Sequence, residues 1–175
     1  MPLTFDPDPA LTPGLRDGIC ALWAEVSNAG GAVGFVPPVT PQDVRPELLT
    51  HLASMARGRT RLVVGRDGGG AVVAAAFLAL NTAAVSRHWC WAHTVLVHPS
   101  QQRRGHGRAL MAAVGRTARA LDGIHGIRLT CRSGLGLEEF YGACGYREVG
   151  RVPDGIRVAD GGFRDDVTFW LRLRR

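Results

Sequence analysis

Hydrophobic residues in the first third of the chain recur at the three- and four-residue spacing of amphipathic helices. A first helix is predicted after Thr12 and Pro13, which form an N-cap and first-turn signal. Its apolar positions are Leu15, Ile19, Leu22 and Val26. A second helix is predicted to begin near Arg45, because Pro46 belongs in a first turn. Its apolar positions are Val44, Leu48, Leu52 and Met55.

The hydrophobic pattern after residue 60 becomes that of β-strands. Two apolar runs, 61–66 and 71–80, flank an Asp-Gly-Gly-Gly turn and predict a β-hairpin. The run WCWAHTVLV over 89–97 predicts another strand, and LTF over 3–5 predicts a short first strand.

The rest of the chain alternates helical and strand patterns. An arginine-rich loop after residue 97 leads into a helix that Gly123 is predicted to close. The apolar face of this helix is Leu110, Val114, Thr117, Ala118 and Leu121. The other predicted elements are strands over 127–131, 147–152 and 167–173, a short helix over 136–146 and a turn-rich connection over 153–162. This order predicts one α+β domain over 1–175, with a mixed sheet of six or seven strands and about four helices.

Positive charge is concentrated in the C-terminal part of the chain. The net charge is +6, and all 21 basic residues are arginine. Residues 1–100 contain 7 arginines and 7 acidic residues, whereas residues 101–175 contain 14 arginines and 8 acidic residues. This asymmetry indicates an anionic partner, either nucleic acid or a phosphorylated cofactor, although arginine can also serve as an ordinary surface cation. Nucleic acid is not expected, because few aromatic residues are interleaved with these arginines.

The cysteine spacing and the hydropathy pattern bear on metal binding and on cellular location. The four cysteines form no CxxC pair, and no His–Cys spacing matches a zinc site, so no metal is predicted. There is no signal-peptide pattern and no apolar run long enough to span a bilayer. We therefore expect a cytoplasmic protein with free thiols and no membrane partner.

The stretch Q-R-R-G-H-G, residues 102–107, stands directly between a predicted strand and a predicted helix. A helix N-terminus offers unpaired N–H groups and a partial positive charge, which together bind anions. Gly105 and Gly107 let a ligand approach the backbone closely. The stretch matches neither the G-K-[ST] phosphate loop nor the G-x-G-x-x-G dinucleotide fingerprint. The chemistry expected here is that of a bound phosphate or diphosphate.

Two motifs carry a resemblance to a known family. Q-x-x-G-x-G after LVHP, followed by an amphipathic helix, resembles the acetyl-CoA loop of the GNAT superfamily of N-acetyltransferases. GLEEFYGACGY, residues 136–146, resembles the later helix of that family. The stretches GGAVGFVPP and FYGACGYREVGRVP extend the resemblance to the tabtoxin-resistance type of small-molecule acetyltransferase.

The resemblance implies a GNAT-like sheet with a central splay and a site for acetyl-CoA as cosubstrate. The backbone of Val95, Leu96 and Val97 would pair with the pantetheine arm of coenzyme A. The diphosphate would be bound by the loop residues Gln102, Arg103, Arg104, Gly105, His106, Gly107 and Arg108. The implied reaction is direct transfer of an acetyl group to a primary amine, of an amino-acid-like compound, a toxin or an antibiotic.

The resemblance also assigns an acid, Tyr141, which matches the family position that protonates the departing sulfur. The alternative is that Tyr141 is a helix aromatic packed beside Phe140. Trp91 stands where many relatives have a glutamate base, and His93 follows two residues later. Strand alternation places Trp91, His93 and Val95 on one face unless a bulge breaks the register, so His93 is the candidate base. The alternative is a partly buried histidine bonded to a carbonyl.

The acceptor is less specified. Its pocket is predicted from the first two helices, the loop over 28–38 and the segment after Val152, and the electrically neutral N-terminal half favours a neutral or zwitterionic amine. Transfer to a protein N-terminus or lysine is a competing interpretation. A non-catalytic acyl-CoA-binding regulatory module is another, motivated by Trp91, and a homodimer is compatible with the chain.

Overall fold

The computed structural model describes residues 2–158 and 161–173, which form one mixed β-sheet with helices on both faces. The strands are β1 (Thr4–Pro7), β2 (Thr60–Arg66), β3 (Val72–Leu80), β4 (Trp89–Val97), β5 (Gly126–Arg132), β6 (Arg147–Arg157) and β7 (Phe163–Arg172). The helices are α1 (Pro13–Asn28), α2 (Pro41–Ala56), α3 (His106–Arg119) and α4 (Leu137–Ala143), with a 3-10 turn at Pro99–Gln101. The strand order is β1-β2-β3-β4-β5-β7-β6, and every neighbouring pair is antiparallel except β4–β5. The predicted mixed, largely antiparallel α+β fold is therefore confirmed.

The start of α2 corrects the sequence-based expectation. The helix begins at Pro41, not near Arg45. Thr40 and Asp43 form a capping box: the Asp43 N–H donates to the Thr40 hydroxyl at 3.3 Å, and the Thr40 N–H donates to the Asp43 carboxylate at 2.8 Å. This cap stabilises an N-terminus upstream of Pro46, and the helix accepts the loss of one internal hydrogen bond at that proline.

Two hydrophobic cores lie on opposite faces of the sheet. The α1–α2 face is covered by the first two helices, and the α3–α4 face by the last two. The largest buried side chains of the α1–α2 face include Trp23, Ile19, Leu48, Phe77 and Leu96. Those of the α3–α4 face include Leu110, Ile127, Leu129, Tyr141 and Phe169.

Three further boundaries differ from the sequence pattern. Helix α3 ends at Arg119, so Gly123 lies beyond the helix and does not close it. Strands β6 and β7 continue into the predicted connection, because Arg157 pairs with Phe163 across the hairpin. Residues 159 and 160 of that connection lie outside the described residues.

A charged network connects α4 to the final hairpin. The Arg151 guanidinium lies 2.8 Å from the Asp165 carboxylate and 2.9 Å from that of Glu148. It also lies 3.7 Å from Glu138 in the first turn of α4. Each pair is partly exposed and individually weak, but the shared guanidinium orients α4 on the sheet.

In the part of the chain that the structure describes, none of the helices combines the length and the apolar character that crossing a bilayer requires.

Close packing at Gly126 gives a stability prediction. A Cβ added at Gly126 would lie 2.2 Å from the Trp170 ring, so Gly126→Ala should destabilise the fold by about 1–3 kcal/mol through overpacking. Gly142→Ala is the matched control, because nothing lies within 4 Å of its added Cβ. As a helical alanine it should stabilise by about 0.5–1 kcal/mol. Urea denaturation measures the stability of both variants. Equal midpoints for Gly126→Ala and Gly142→Ala would contradict the close packing of Trp170 on Gly126.

Candidate active site

A cleft of about 1280 Å³ lies where β4 and β5 separate. These parallel strands pair at three positions, of which the last joins Trp91 to Arg128. Beyond it, no described residue of β5 pairs with β4, and the cleft opens between residues 92–97 of β4 and Thr130 and Cys131 of β5. The backbone of β4 on this side therefore has N–H and C=O groups that a ligand can satisfy. This confirms the predicted central splay.

Strand β4 contains a β-bulge within the cleft. It places Thr94 and Val95 opposite the single residue Ala76 of β3, with regular pairing resuming through His93 on one side and Leu96 on the other. Thr94 has a φ of 51°, in the left-handed region that β-branched residues rarely adopt. The bulge thus changes which side chains face which side of the sheet.

The bulge overturns part of the sequence-based prediction. His93 pairs with Phe77 and, like Leu96, lies on the α1–α2 face. Val95 packs instead on the α3–α4 face. The expectation that Trp91, His93 and Val95 share one face is therefore wrong for Val95, because one extra residue reverses the alternation. His93 nevertheless lines the cleft, which reaches both faces through the splay.

The loop between β4 and α3 leaves the positive end of a helix open to the cleft. The N-cap is Gly105, with a φ of 81° and no side chain to cap the helix, and the first turn contains no acidic residue. Arg103 and Arg108 line the cleft beside it. The Gln102 amide donates to the Val97 carbonyl at 3.0 Å, which holds the loop against the end of β4. Uncompensated N–H groups and two guanidinium groups are a combination that favours a bound anion, so this loop is a candidate anion site.

The predicted site residues divide into two groups. Those that line the cleft are His93, Val95, Val97, Gln102, Arg103, Gly105, Gly107, Arg108 and Tyr141. Three others do not line it. Leu96 is fully buried on the α1–α2 face, Arg104 is exposed and His106 is half-buried.

Tyr141 reaches the cleft from α4. Its ring is 6% exposed and packs edge-on against Phe140 with ring centroids 5.0 Å apart. Burial raises the pKa of the Tyr141 phenol well above its ordinary value, so the hydroxyl stays protonated at neutral pH. A protonated phenol at the splay can donate a proton to a reacting atom.

His93 reaches the cleft from β4 on the opposite face of the sheet. Its ring stacks on Trp91 at 21°, with ring centroids 5.6 Å apart. The side chain of His93 is exposed, but partial desolvation by the cleft walls, and secondarily the charge of His51, lower its pKa below the ordinary value. The imidazole is therefore mainly neutral at pH 7 and can accept a proton.

The remaining wall of the cleft comes from α1, α2 and the loop between them. The Trp23 indole N–H donates to the Val33 carbonyl at 2.8 Å, and the ring packs edge-on against Phe35 with centroids 5.6 Å apart. Glu47 of α2 lines the same cavity. These contributions of the first two helices and their loop agree with the sequence-based expectation for the acceptor pocket. Among the described residues, none after Val152 lines the cleft.

A family model and several solved structures match this arrangement. Residues 58–148 of the 175 match the acetyltransferase (GNAT) domain, which is more than half of the chain. The chain belongs to the GNAT acetyltransferase family.

The fold of this GNAT chain is shared by distant relatives. A candidate phosphinothricin N-acetyltransferase is 18% identical with a TM-score of 0.79, over 98% of this chain and all of that one (100%). A candidate acetyltransferase from Salmonella typhimurium, solved with its cofactor acetyl-CoA, is 18% identical with a TM-score of 0.76. The superposition covers 100% of this chain and 96% of that one. A spermidine/spermine N-acetyltransferase from Vibrio cholerae is 15% identical with a TM-score of 0.72. The superposition covers 98% of this chain and 93% of that one. At this identity the likeness shows the GNAT fold alone.

Two features of the GNAT cleft were not visible in the sequence. Glu47 lies on a helix whose apolar pattern marks only the buried positions, so nothing local distinguishes it from a solvated surface residue. Cys131 is 7% exposed and also lines the cleft. Burial raises the pKa of its thiol to about 12, which keeps it protonated and a poor nucleophile.

The proximity of His51 to His93 gives a prediction for proton binding. NMR titration should show a pKa for His93 below about 6.5. In His51→Gln this pKa should rise but remain depressed, because desolvation, the larger cause, is unchanged. His125→Gln, an exchange of an exposed histidine, serves as the control and should leave the titration of His93 unaltered. A His93 pKa that does not respond to the loss of His51 would disprove their coupling.

Proposed function

We propose that this GNAT protein is an acetyl-CoA-dependent N-acetyltransferase that transfers acetyl directly to the primary amine of a small molecule. The observation that carries the proposal is the content of the cleft. The anion-binding loop, the unpaired backbone of β4, a protonated Tyr141 and a neutral His93 all line one cavity at the splay.

The chain's residues fit coenzyme A on two counts. The uncapped N-terminus of α3 with Arg103 and Arg108 suits a diphosphate. The β4 backbone over Val95, Leu96 and Val97, which lacks a β5 partner among the described residues, suits the amides of a pantetheine arm. The acetyl-CoA held by the Salmonella protein of the same fold supports this assignment. When bound, acetyl-CoA supplies the thioester that is the acetyl donor.

The acid and base would act from opposite faces of the sheet. His93 accepts a proton from the acceptor ammonium, which leaves a neutral amine able to attack. Tyr141 donates its hydroxyl proton to the departing sulfur and regains a proton from the amine nitrogen as the amide forms. The protonated Cys131 supports direct transfer over a cysteine-linked route.

Many relatives have a glutamate base at the position of Trp91. Here Trp91 cannot act as the base, but it packs against His93, which can. The Trp91 ring stacks on His93, and the Arg128 guanidinium lies over the Trp91 ring, 4.5 Å from its centroid. This stacking supports one side of the otherwise exposed imidazole. A neutral histidine oriented in this way favours an enzyme over the non-catalytic acyl-CoA-binding module.

The acceptor class follows from the charges in the cavity. Among the described lining residues Glu47 is the one carboxylate, which suits a substrate with a single ammonium group better than a polyamine. Amino-acid-like compounds, toxins and antibiotics of the tabtoxin or phosphinothricin kind meet this condition. Acetylation of a protein N-terminus or lysine is the competing function. A thiol-release screen of amines and peptides with acetyl-CoA separates the two.

Coenzyme A binding gives the first functional prediction. At a coenzyme A concentration of about 100 Kd, binding adds about 2.7 kcal/mol, which should raise Tm by roughly 5–10 °C. Gly105→Val should abolish the shift, because a β-branched residue at a φ of 81° distorts the backbone that faces the diphosphate.

Gly123→Val is the matched control for this experiment. Gly123 has a similar φ of 75°, also has nothing within 4 Å of an added Cβ, and follows the far end of α3. It should lower Tm but keep the shift. No shift in the wild type at saturating coenzyme A would overturn the cofactor assignment.

The acid and base give a kinetic prediction. Because the neutral imidazole is the active form and its pKa is depressed, log(kcat/KM) should rise with pH through an apparent pKa below about 6.5 and level off near pH 7. His93→Ala should lower kcat by roughly a hundredfold or more and remove this limb without weakening coenzyme A binding.

Tyr141→Phe tests the acid separately. It keeps the buried ring and deletes the proton, so kcat should fall by about a hundredfold or more with little change in Tm. Cys131→Ala should retain most activity and serves as the control for a cleft-lining exchange. Full activity in His93→Ala with an unchanged pH profile would remove His93 from the mechanism.

A further inference from the structure

The wall of the cleft opposite the anion site carries a negative charge with no cationic partner. Glu47 lines the cavity from α2 with its side chain 54% exposed. Among the described residues its one ionisable neighbour of basic type within 4.0 Å is His51, one helical turn later, at 3.6 Å. The cleft's arginines, Arg103 and Arg108, come from the distant β4–α3 loop.

His51 does not neutralise this carboxylate. Its ring is 16% exposed and lies flat on Phe77 with ring centroids 4.4 Å apart and an interplanar angle of 14°. Burial lowers the pKa of His51, so at neutral pH it is mainly uncharged. At 3.6 Å the two side chains also lie beyond ordinary hydrogen-bond distance. Glu47 therefore has no cationic partner among the described residues, and its carboxylate is available to a ligand in the cavity.

The surfaces near Glu47 are apolar and aromatic. Trp23 lies between Phe35 and His51, with ring centroids 5.6 Å and 6.0 Å away. Trp23 is 2% exposed and its indole N–H is already used by the Val33 carbonyl, so it supports this wall from behind, and the half-buried Phe35 presents the aromatic surface to the cavity. An aromatic wall beside a carboxylate is the combination that binds an organic ammonium group attached to an apolar body.

We propose that Glu47 is a specificity-determining residue that binds the acceptor's ammonium group, and that the acceptor is a primary amine with an apolar or aromatic body lying against Phe35. This inference rests on the proposed acetyltransferase function. Glu47 attracts the charged amine into the cleft, and His93 then removes its proton. The carboxylate acts on acceptor binding, whereas the anion loop acts on the cofactor.

Glu47→Gln tests the proposal with 2-phenylethylamine as the probe acceptor. Kinetics at pH 8, where His93 is deprotonated in every variant, should show KM for the amine raised by roughly ten- to hundredfold with kcat much less affected. The Tm shift with coenzyme A should be unchanged. Inhibition by 2-phenylethanol, which has the same body without the charge, should also be unchanged, so the variant loses the preference for the amine.

Two variants control for indirect effects. His51→Gln removes the neighbour of Glu47, and its KM should stay within about twofold of the wild type if the carboxylate acts directly. Glu139→Gln removes an exposed carboxylate of α4 that does not line the cleft, and it should behave as the wild type. A KM increase in His51→Gln equal to that in Glu47→Gln would assign Glu47 a purely structural role.

The outcomes separate this inference from the proposed function. If the wild type acetylates amines and Glu47→Gln keeps its KM, the Glu47 assignment is wrong and the acetyltransferase function stands. If the wild type acetylates polyamines far better than monoamines with an apolar body, the acceptor class is wrong. If the wild type acetylates no amine yet shows the coenzyme A shift, the proposed function fails, and the role of Glu47 fails with it.

Discussion

The separation of β4 from β5 after three residue pairs is the constraint on which the rest of this structure depends. A sheet interior normally satisfies its N–H and C=O groups by pairing, and here the pairing stops in the middle of the sheet. β3 continues to hold β4, and β7 continues to hold β5, so the opening keeps rigid sides. The strand part of this cavity therefore belongs to the sheet itself, and the loops at 29–35 and 102–105 complete its walls.

The splay also explains how groups from opposite faces of the sheet share one space. The α1–α2 face contributes His93, Glu47 and Trp23, and the α3–α4 face contributes Tyr141 and the anion loop. The bulge in β4 turns Val95 to the α3–α4 face, and this requires an unfavourable φ of 51° at Thr94. Strain of this kind persists where the surrounding packing enforces it, and here β3 pairs with β4 on both sides of the bulge. The cleft is therefore lined by positive groups, Arg103 and Arg108 beside the N-terminus of α3, and by the Glu47 carboxylate of α2.

The solved structures of the same fold have less than a fifth of their residues in common with this chain. The likeness of backbone geometry at such low identity is compatible with the proposed coenzyme A site, because N–H groups and a helix end constrain few side chains. Such a site leaves the other side chains around the cleft free to vary. Trp91 illustrates this freedom: a residue that cannot accept a proton is compatible with the fold, and the proposed proton acceptor, His93, lies two residues further along the strand.

The sequence by itself determined the features whose causes are local. The element order, the Thr12 cap of α1, the arginine- and glycine-rich loop before α3 and the aromatic pair of α4 follow from periodicity and hydrogen bonds spanning a few residues. Local signals failed where two of them competed, as when the Thr40–Asp43 cap outweighed Pro46 in placing the start of α2. The bulge at Thr94, the opposite orientation of Val95 and the position of Glu47 in the cleft were decided only by the tertiary structure. Each depends on strands and helices far apart in the chain, whose register and packing are set by the burial of two cores and leave no periodic trace in the sequence.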